Sequence, residues 1–108
     1  MSKWFKPKEI KGLDQNLVEA LDTAREIAGI PFIITCGLVT EMGPHVEHSA
    51  HFKGLAVDLR CWDSWARWKM VPALLEVGFQ RIGIYDRHIH VDIDPSLPQG
   101  VIWVGTSK

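Results

Sequence analysis

Two stretches of the chain alternate between apolar and polar positions, as expected for β-strands that bury one face. In the first stretch, 55–60, branched side chains occupy every second position and leave Asp58 on the opposite side. In the second stretch, 89–94, the same alternation puts apolar residues on one side and His90 and Asp92 on the other. If both strands belong to one sheet with a common buried face, Asp58 and His90 converge above its exposed face.

The rest of the pattern predicts two helical regions and three further strands. One helix follows Asp14, a residue suited to the N-cap, and ends at Gly29. A second helical region covers 61–78, where Pro72 is expected to break or kink it. Short apolar runs predict the remaining strands at 32–36, 81–85 and 101–104. Together these elements predict an α+β domain, with a small, mainly antiparallel sheet and helices packed on one side.

Composition places the chain among ordinary globular proteins and excludes some functions. Its 108 residues make one domain over 1–108, 46% of it hydrophobic. A net charge of −1 gives no broad basic field, so we expect no nucleic-acid partner. No apolar run approaches the roughly 18 residues that span a bilayer, and the charged segment 1–11 lacks a signal-peptide core. We expect a monomer without a membrane role, made in the cytoplasm and acting outside the cell only if released.

Three tryptophans, Trp62, Trp65 and Trp68, lie close together at the start of the second helical region. Exposed indoles can form a platform on which sugars stack. The interpretation that we favour is that at least two of the three fill the core, because an indole buries a large apolar area.

The polar faces of the two alternating stretches carry the residue types of a catalytic zinc site. His51 lies in a turn that Gly54 allows, just before the first strand, so that it can fold back over Asp58. Together with His90 these side chains offer two imidazoles and one carboxylate. Three protein ligands with one position open for water are typical of catalytic zinc (Zn2+), whereas structural zinc has four protein ligands.

The spacing of these residues resembles that of a known class of zinc enzymes. His51 and Asp58 lie within the pattern Ser-x-His-x2-Gly-x-Ala-x-Asp, and His88-x-His90 follows later. The double motif is similar to that of the M15-type D-alanyl-D-alanine carboxypeptidases and the related phage endolysins, which cut the stem peptides of peptidoglycan. Hedgehog-type signalling domains share the fold. The similarity extends over most of the chain, from about residue 33 to residue 93.

This resemblance implies a zinc-dependent metallopeptidase that degrades the cell wall, of the kind found in bacteriophage endolysins. It implies His51, Asp58 and His90 as the zinc ligands. It also implies His88 as an imidazole near the site and a carboxylate before the last ligand as general base, for which Asp86 is the best-placed candidate. The substrate is then a stem peptide, cut at D-alanyl-D-alanine by carboxypeptidase action or between L-alanine and D-glutamate by endopeptidase action.

Several alternatives remain open on the sequence alone. Asp92 shares the face of His90, so it could orient a ligand imidazole instead of serving as the base. His88 points the same way and could stabilise the oxyanion of the reaction. A zinc-bearing cell-wall binding module that has lost hydrolysis is the alternative function, and a His-rich metal nuclease is a third one that the neutral charge disfavours.

The loop that begins at Gly37 departs from the resembled family. Family members usually carry an arginine shortly after this turn, where it handles a carboxylate or carbonyl of the substrate, but here Gly-Leu-Val-Thr stands in that place. Arg60 or Arg87 could supply the positive charge from elsewhere. The same loop carries His45 and His48. Each alone is best interpreted as a solvated histidine, but their closeness to His51 leaves a role as substrate-side or additional metal groups open.

Overall fold

The computed structural model describes residues 2–37 and 53–106, which form an open five-stranded sheet with two helices on one face. The helices are α1 (Gln15–Ala28) and α2 (Ser64–Glu76), and the strands are β1 (Ile34–Cys36), β2 (Ala56–Arg60), β3 (Arg81–Ile84), β4 (His88–Asp92) and β5 (Val101–Val104). The strand order is β1-β2-β4-β3-β5, and every pair is antiparallel except β3 with β5. The predicted α+β architecture is confirmed.

Polar caps define where both helices begin. The side chain of Asp14 accepts a hydrogen bond of 2.8 Å from the backbone N–H of Asn16 at the start of α1. Asp63 does the same for Ala66 in α2, also at 2.8 Å. At the other end of α1, Gly29 adopts a φ of 72°, a left-handed conformation that glycine reaches at little cost. The predicted start and end of α1 are therefore confirmed.

Of the break or kink predicted at Pro72, the break is wrong, because helix α2 continues through this residue. Proline removes one hydrogen bond from the helix, but the turns on both sides stay packed. Met70 is 1% exposed and Leu74 is fully buried, and both belong to the main core cluster. This packing offsets the local cost of proline inside the helix.

The core lies between the two helices and the inner face of the sheet. Its members from the sheet are branched aliphatic residues at alternate positions of three strands: Val57, Leu59, Ile82, Ile89 and Val91. Its members from the helices include Leu17, Leu21, Ala24, Met70 and Leu74. Since neighbouring side chains on a strand point to opposite faces, burying this set turns Asp58 and His90 toward the outer face.

The tryptophan cluster does not fill the core, and that prediction is wrong. Trp62, Trp65 and Trp68 are 66%, 62% and 74% exposed. The physical reason is that α2 buries only residues of its second half, among them Met70 and Leu74. The three indoles come before that buried segment and stay at the surface.

A buried carboxylate anchors the segment that follows β4. Asp94 is 1% exposed and accepts hydrogen bonds from the backbone N–H of Ser96 at 2.9 Å and from its hydroxyl at 2.6 Å. Lys53 Nζ lies 2.9 Å from the other carboxylate oxygen. Burial raises the pKa of Asp94, but the hydrogen bonds from Ser96 and Lys53 outweigh that effect and lower the pKa from 3.8 to about 2.

We expect Asp94 to make stability depend on pH in the acid range. A carboxylate with a lower pKa in the folded than in the unfolded chain stabilises the fold when it is ionised. Its contribution is complete above pH 3.8 and is lost as the pH falls toward about 2. Urea unfolding of wild type and Asp94→Asn across this range measures the effect. The difference in free energy of unfolding should shrink as the pH falls, and a constant difference would contradict the prediction.

Candidate active site

Two of the predicted zinc ligands lie side by side on the outer face of the sheet. Asp58 on β2 and His90 on β4 are direct partners in the antiparallel ladder. His90 Nδ1 lies 3.1 Å from Asp58 Oδ1, and the side chains are 16% and 14% exposed. Both groups are therefore sheltered by the sheet and still accessible from solvent. The structure brings the pair together, while their role as ligands stays a prediction.

The other nitrogen of the His90 ring is held by a buried carboxylate. His90 Nε2 lies 2.8 Å from Asp92 Oδ2, and Asp92 is 1% exposed. The second oxygen of Asp92 accepts hydrogen bonds from Arg81 Nε at 2.8 Å and from the backbone N–H of Asp94 at 3.1 Å. An ionised carboxylate can only accept, so Asp92 in that form favours the His90 tautomer that carries its proton on Nε2. This arrangement fixes the ring and directs Nδ1 toward Asp58.

Arg81 is itself fixed from two further directions. Its Nη1 donates to the carbonyl oxygen of Pro98 at 2.7 Å, and its guanidinium carbon lies 4.9 Å from the ring centre of Trp103. The sequence predicts the strand but does not indicate a role for Arg81. Because Ile82 faces the core, strand alternation puts Arg81 on the outer face. The sequence predicts which face of the sheet Arg81 lies on. It does not predict the hydrogen bond from Arg81 to Asp92.

Trp103 forms a further wall of the site that the sequence does not reveal. Gly83 is the ladder partner of both His90 and Trp103, so the three positions lie side by side across the sheet. A Cβ atom at Gly83 would lie 2.6 Å from the indole, so only glycine lets Trp103 cross this strand. The indole reaches to 5.5 Å from the His90 ring, centre to centre. Its Nε1 donates to the hydroxyl of Tyr85 at 3.0 Å.

His88 lies on the same face, two residues before His90. Its Nε2 is 3.9 Å from Asp58 Oδ2, and its side chain is 23% exposed. The ring stacks on Tyr85 with 4.4 Å between ring centres and 9° between planes. His88 is thus held beside Asp58 Oδ2, where it can donate a hydrogen bond to a group that binds next to Asp58.

Asp86 lies farther from His90 than His88 does. The backbone N–H of Tyr85 donates to the carbonyl oxygen of His88 at 3.0 Å, so Asp86 and Arg87 form the turn between β3 and β4. Each strand residue advances the chain by about 3.3 Å, which puts Asp86 beyond His88 as seen from His90. Asp86 is exposed there, at the end of the sheet toward which β2 runs.

The third predicted ligand, His51, lies outside the described residues, as do His45 and His48 of the preceding loop. Within 2–37 and 53–106, no group of three or more histidine, cysteine, aspartate or glutamate side chains forms a cluster suited to a metal ion. The described part of the chain therefore contributes two of the three predicted ligands.

The sequence of this chain matches a known protein family. A model of the Peptidase M15 family matches residues 4–94. The chain belongs to the Peptidase M15 family. The match covers His51, Asp58 and His90, and it confirms the resemblance drawn from the sequence. Searches of curated proteins and of solved structures gave no match.

Family membership makes the chain a peptidase, and M15 peptidases are in general zinc-dependent. The chain therefore belongs to a family of metallopeptidases, which are hydrolases. None of the helices within the described ranges is long and apolar enough to cross a membrane.

The donor atoms of this M15 peptidase fit a divalent cation. Burial lowers the pKa of His90, but the hydrogen bonds and charges of Asp58 and Asp92 outweigh it and raise the pKa above 6.5. Without metal, the site therefore favours a positive charge between His90 Nδ1 and Asp58. Imidazole nitrogen and carboxylate oxygen are both ligands that zinc accepts, and a cation there would replace the proton.

We expect Asp92→Asn to weaken zinc binding by about 10- to 100-fold, as is typical when a carboxylate behind a ligand histidine is removed. The amide no longer dictates that His90 Nε2 carries the proton, so Nδ1 is less often available as a ligand. Competition with a chromophoric chelator measures the affinity. Asp86→Asn is the matched control, because it removes an exposed carboxylate from the turn. Unchanged affinity in Asp92→Asn would mean that Asp92 does not orient His90.

Proposed function

We propose that this M15 peptidase is a zinc-dependent peptidoglycan hydrolase that cuts stem-peptide bonds, as a phage-type endolysin does. The observation that carries the proposal is the pair of Asp58 and His90 on the outer face of the sheet, with Asp92 behind the imidazole. In the proposal His51, Asp58 and His90 hold the zinc. When bound, zinc lowers the pKa of a water and polarises the carbonyl of the scissile bond.

In the proposal, side chains next to the zinc ligands transfer protons and stabilise developing charge. The proposal keeps Asp86 as the general base for the attacking water and then as the acid for the leaving amine. Because Asp86 lies in the turn, four positions before His90, it takes this proton through a bridging water. His88 donates a hydrogen bond to the oxygen on which negative charge develops. Asp92 is unsuited to the role of base, because Arg81 and His90 already occupy its two oxygens.

The proposal extends to the substrate and the place of action. Among the described residues both helices pack on the opposite face, so the outer face of β2 and β4 carries no helix there, which suits an extended peptide such as the stem peptide. We propose a monomer that needs no membrane or nucleic acid and reaches the wall after release from the host cytoplasm. Carboxypeptidase and endopeptidase action release different products, so the products identify the bond that is cut.

The test is digestion of purified peptidoglycan by the zinc-loaded chain, followed by mass spectrometry of the soluble products. Free D-alanine indicates carboxypeptidase action, and new D-glutamate amino termini indicate endopeptidase action. Removal of zinc by a chelator should stop the reaction, and added zinc should restore it. Wild type that holds zinc and releases neither product would overturn the proposal in favour of a binding module.

A further inference from the structure

The outer face of β2 continues past the strand as a row of side chains. Beyond Arg60, the backbone N–H of Cys61 still donates to the carbonyl oxygen of Arg87 at 2.9 Å, so the ladder extends alongside the turn. Cys61 is 1% exposed and faces the core, while Trp62 is 66% exposed. Asp58, Arg60 and Trp62 therefore follow one another at alternate positions on the face that carries the candidate site.

A pocket of about 390 Å³ lies at the far end of this row and is lined, within the described residues, by Trp62, Asp86 and Arg87. The guanidinium carbon of Arg60 lies 4.7 Å from the ring centre of Trp62. Arg67 Nη2 donates to the carbonyl oxygen of Asp86 at 3.3 Å and ties the turn to α2. The walls of the pocket are thus fixed by contacts within the chain before any ligand arrives.

The chemistry of the pocket suits a ligand with one carboxylate next to an apolar part. The guanidinium group of Arg87 in the wall, and that of Arg60 against Trp62 beside the pocket, match the planar, forked geometry of a carboxylate. The exposed face of Trp62 offers a flat apolar surface on which aliphatic groups pack. Asp86 in the same wall repels additional negative charge. Since the whole chain has a net charge of −1, this preference is local and does not come from an overall positive field.

The length of the row also fits a peptide. Asp58 and Trp62 are four positions apart, which corresponds to about 13 Å at the rise of a strand. An extended peptide covers that length with about four residues. A ligand bound at Asp58 and His90 therefore reaches the pocket a few residues away from the bond that is cut.

We propose that Arg60, Trp62 and Arg87 form a subsite for a carboxylate-bearing residue of the stem peptide, a few residues from the scissile bond. The proposal rests on the proposed function, because it identifies the ligand as the substrate of that site. The carboxylate pairs with Arg60 and Arg87, and the adjoining aliphatic part packs on Trp62. The subsite contributes substrate affinity and takes no part in the chemical step.

Kinetics of the zinc-loaded chain on the peptide L-Ala-D-Glu-L-Lys-D-Ala-D-Ala test this role. Arg60→Gln combined with Arg87→Gln should raise KM by about tenfold or more, with kcat and zinc content close to wild type. Trp62→Ala should act in the same direction. Trp68→Ala is the matched control, because Trp68 is 74% exposed but lines a different groove with Ile27 and Pro72. Unchanged KM in the double variant and in Trp62→Ala would overturn the subsite.

A binding experiment separates the subsite from the proposed activity. Calorimetry with the metal-free full chain, which lacks the zinc that hydrolysis needs, compares this peptide with a form whose carboxylates are amidated. Wild type should bind the acidic form more tightly, and the double arginine variant should lose most of that preference. If this preference is found while zinc-loaded wild type cuts nothing, the subsite stands and the peptidase proposal fails. If wild type cuts the peptide but binds both forms equally, the subsite fails alone.

Discussion

His90→Ala should leave the chain without stoichiometric zinc and without hydrolytic activity. The substitution removes Nδ1, the atom that faces Asp58 Oδ1 at 3.1 Å. Only Asp58 and His51 then remain of the predicted ligands, and two ligands hold zinc poorly. Wild type should retain about one zinc per chain after dialysis, as expected for a site with three protein ligands.

The loss should not come from unfolding, and the structure supplies the reason. Removal of His90 leaves Asp92 with its contacts to Arg81 Nε and to the backbone N–H of Asp94, so the buried carboxylate keeps partners. Circular dichroism checks the fold, and His88→Ala is the matched control on the same strand and face, which should keep its zinc. Zinc near one equivalent in both His90→Ala and His51→Ala would mean that the ligands are misassigned.

The sequence allowed the central pair of the site to be predicted because strand periodicity is simple. Branched residues at 57, 59, 89 and 91 define one buried face, and a period of two then puts Asp58 and His90 on the other. The register that makes them direct partners depends on how β2 pairs with β4. A shift of two residues between the strands would keep the same faces, so alternation alone does not determine the register. The structure shows that Asp58 pairs with His90.

The supporting residues could not be predicted in the same way, because their roles depend on contacts across strands. Arg81 reaches Asp92 from the neighbouring strand, and Trp103 reaches His90 over Gly83 from the edge strand β5. Sequence periodicity gives the face of each residue but not the direction in which a long side chain lies.

The tryptophans show a different limit of sequence reasoning. Large apolar side chains favour burial, so Trp62, Trp65 and Trp68 suggested core positions. How much of α2 is covered depends on where the helix crosses the sheet, and the structure buries only its second half, around Met70 and Leu74. An exposed Trp62 next to a pocket is therefore a feature that the fold creates and that composition alone could not predict.

Asp86→Ala and His88→Ala should each slow hydrolysis strongly while zinc stays bound. Neither side chain is a predicted ligand, so zinc per chain should remain near the wild-type value. Loss of a general base typically slows turnover by roughly a hundredfold to ten-thousandfold, which is the expectation for Asp86→Ala. Loss of one donor to the developing oxyanion costs on the order of 3 kcal/mol in the barrier, which is the expectation for His88→Ala.

The paired measurement is zinc per chain and release of amino termini or free D-alanine from purified peptidoglycan. Glu76→Ala, which removes an exposed carboxylate at the end of α2, is the control and should match wild type. Full activity in Asp86→Ala would mean that another group acts as the general base. Asp92 is then a poor substitute because both its oxygens are occupied, so His88, which lies 3.9 Å from Asp58 Oδ2, becomes the first alternative. In that case His88→Ala should show the larger loss of the two, since one side chain would serve both the proton transfer and the oxyanion.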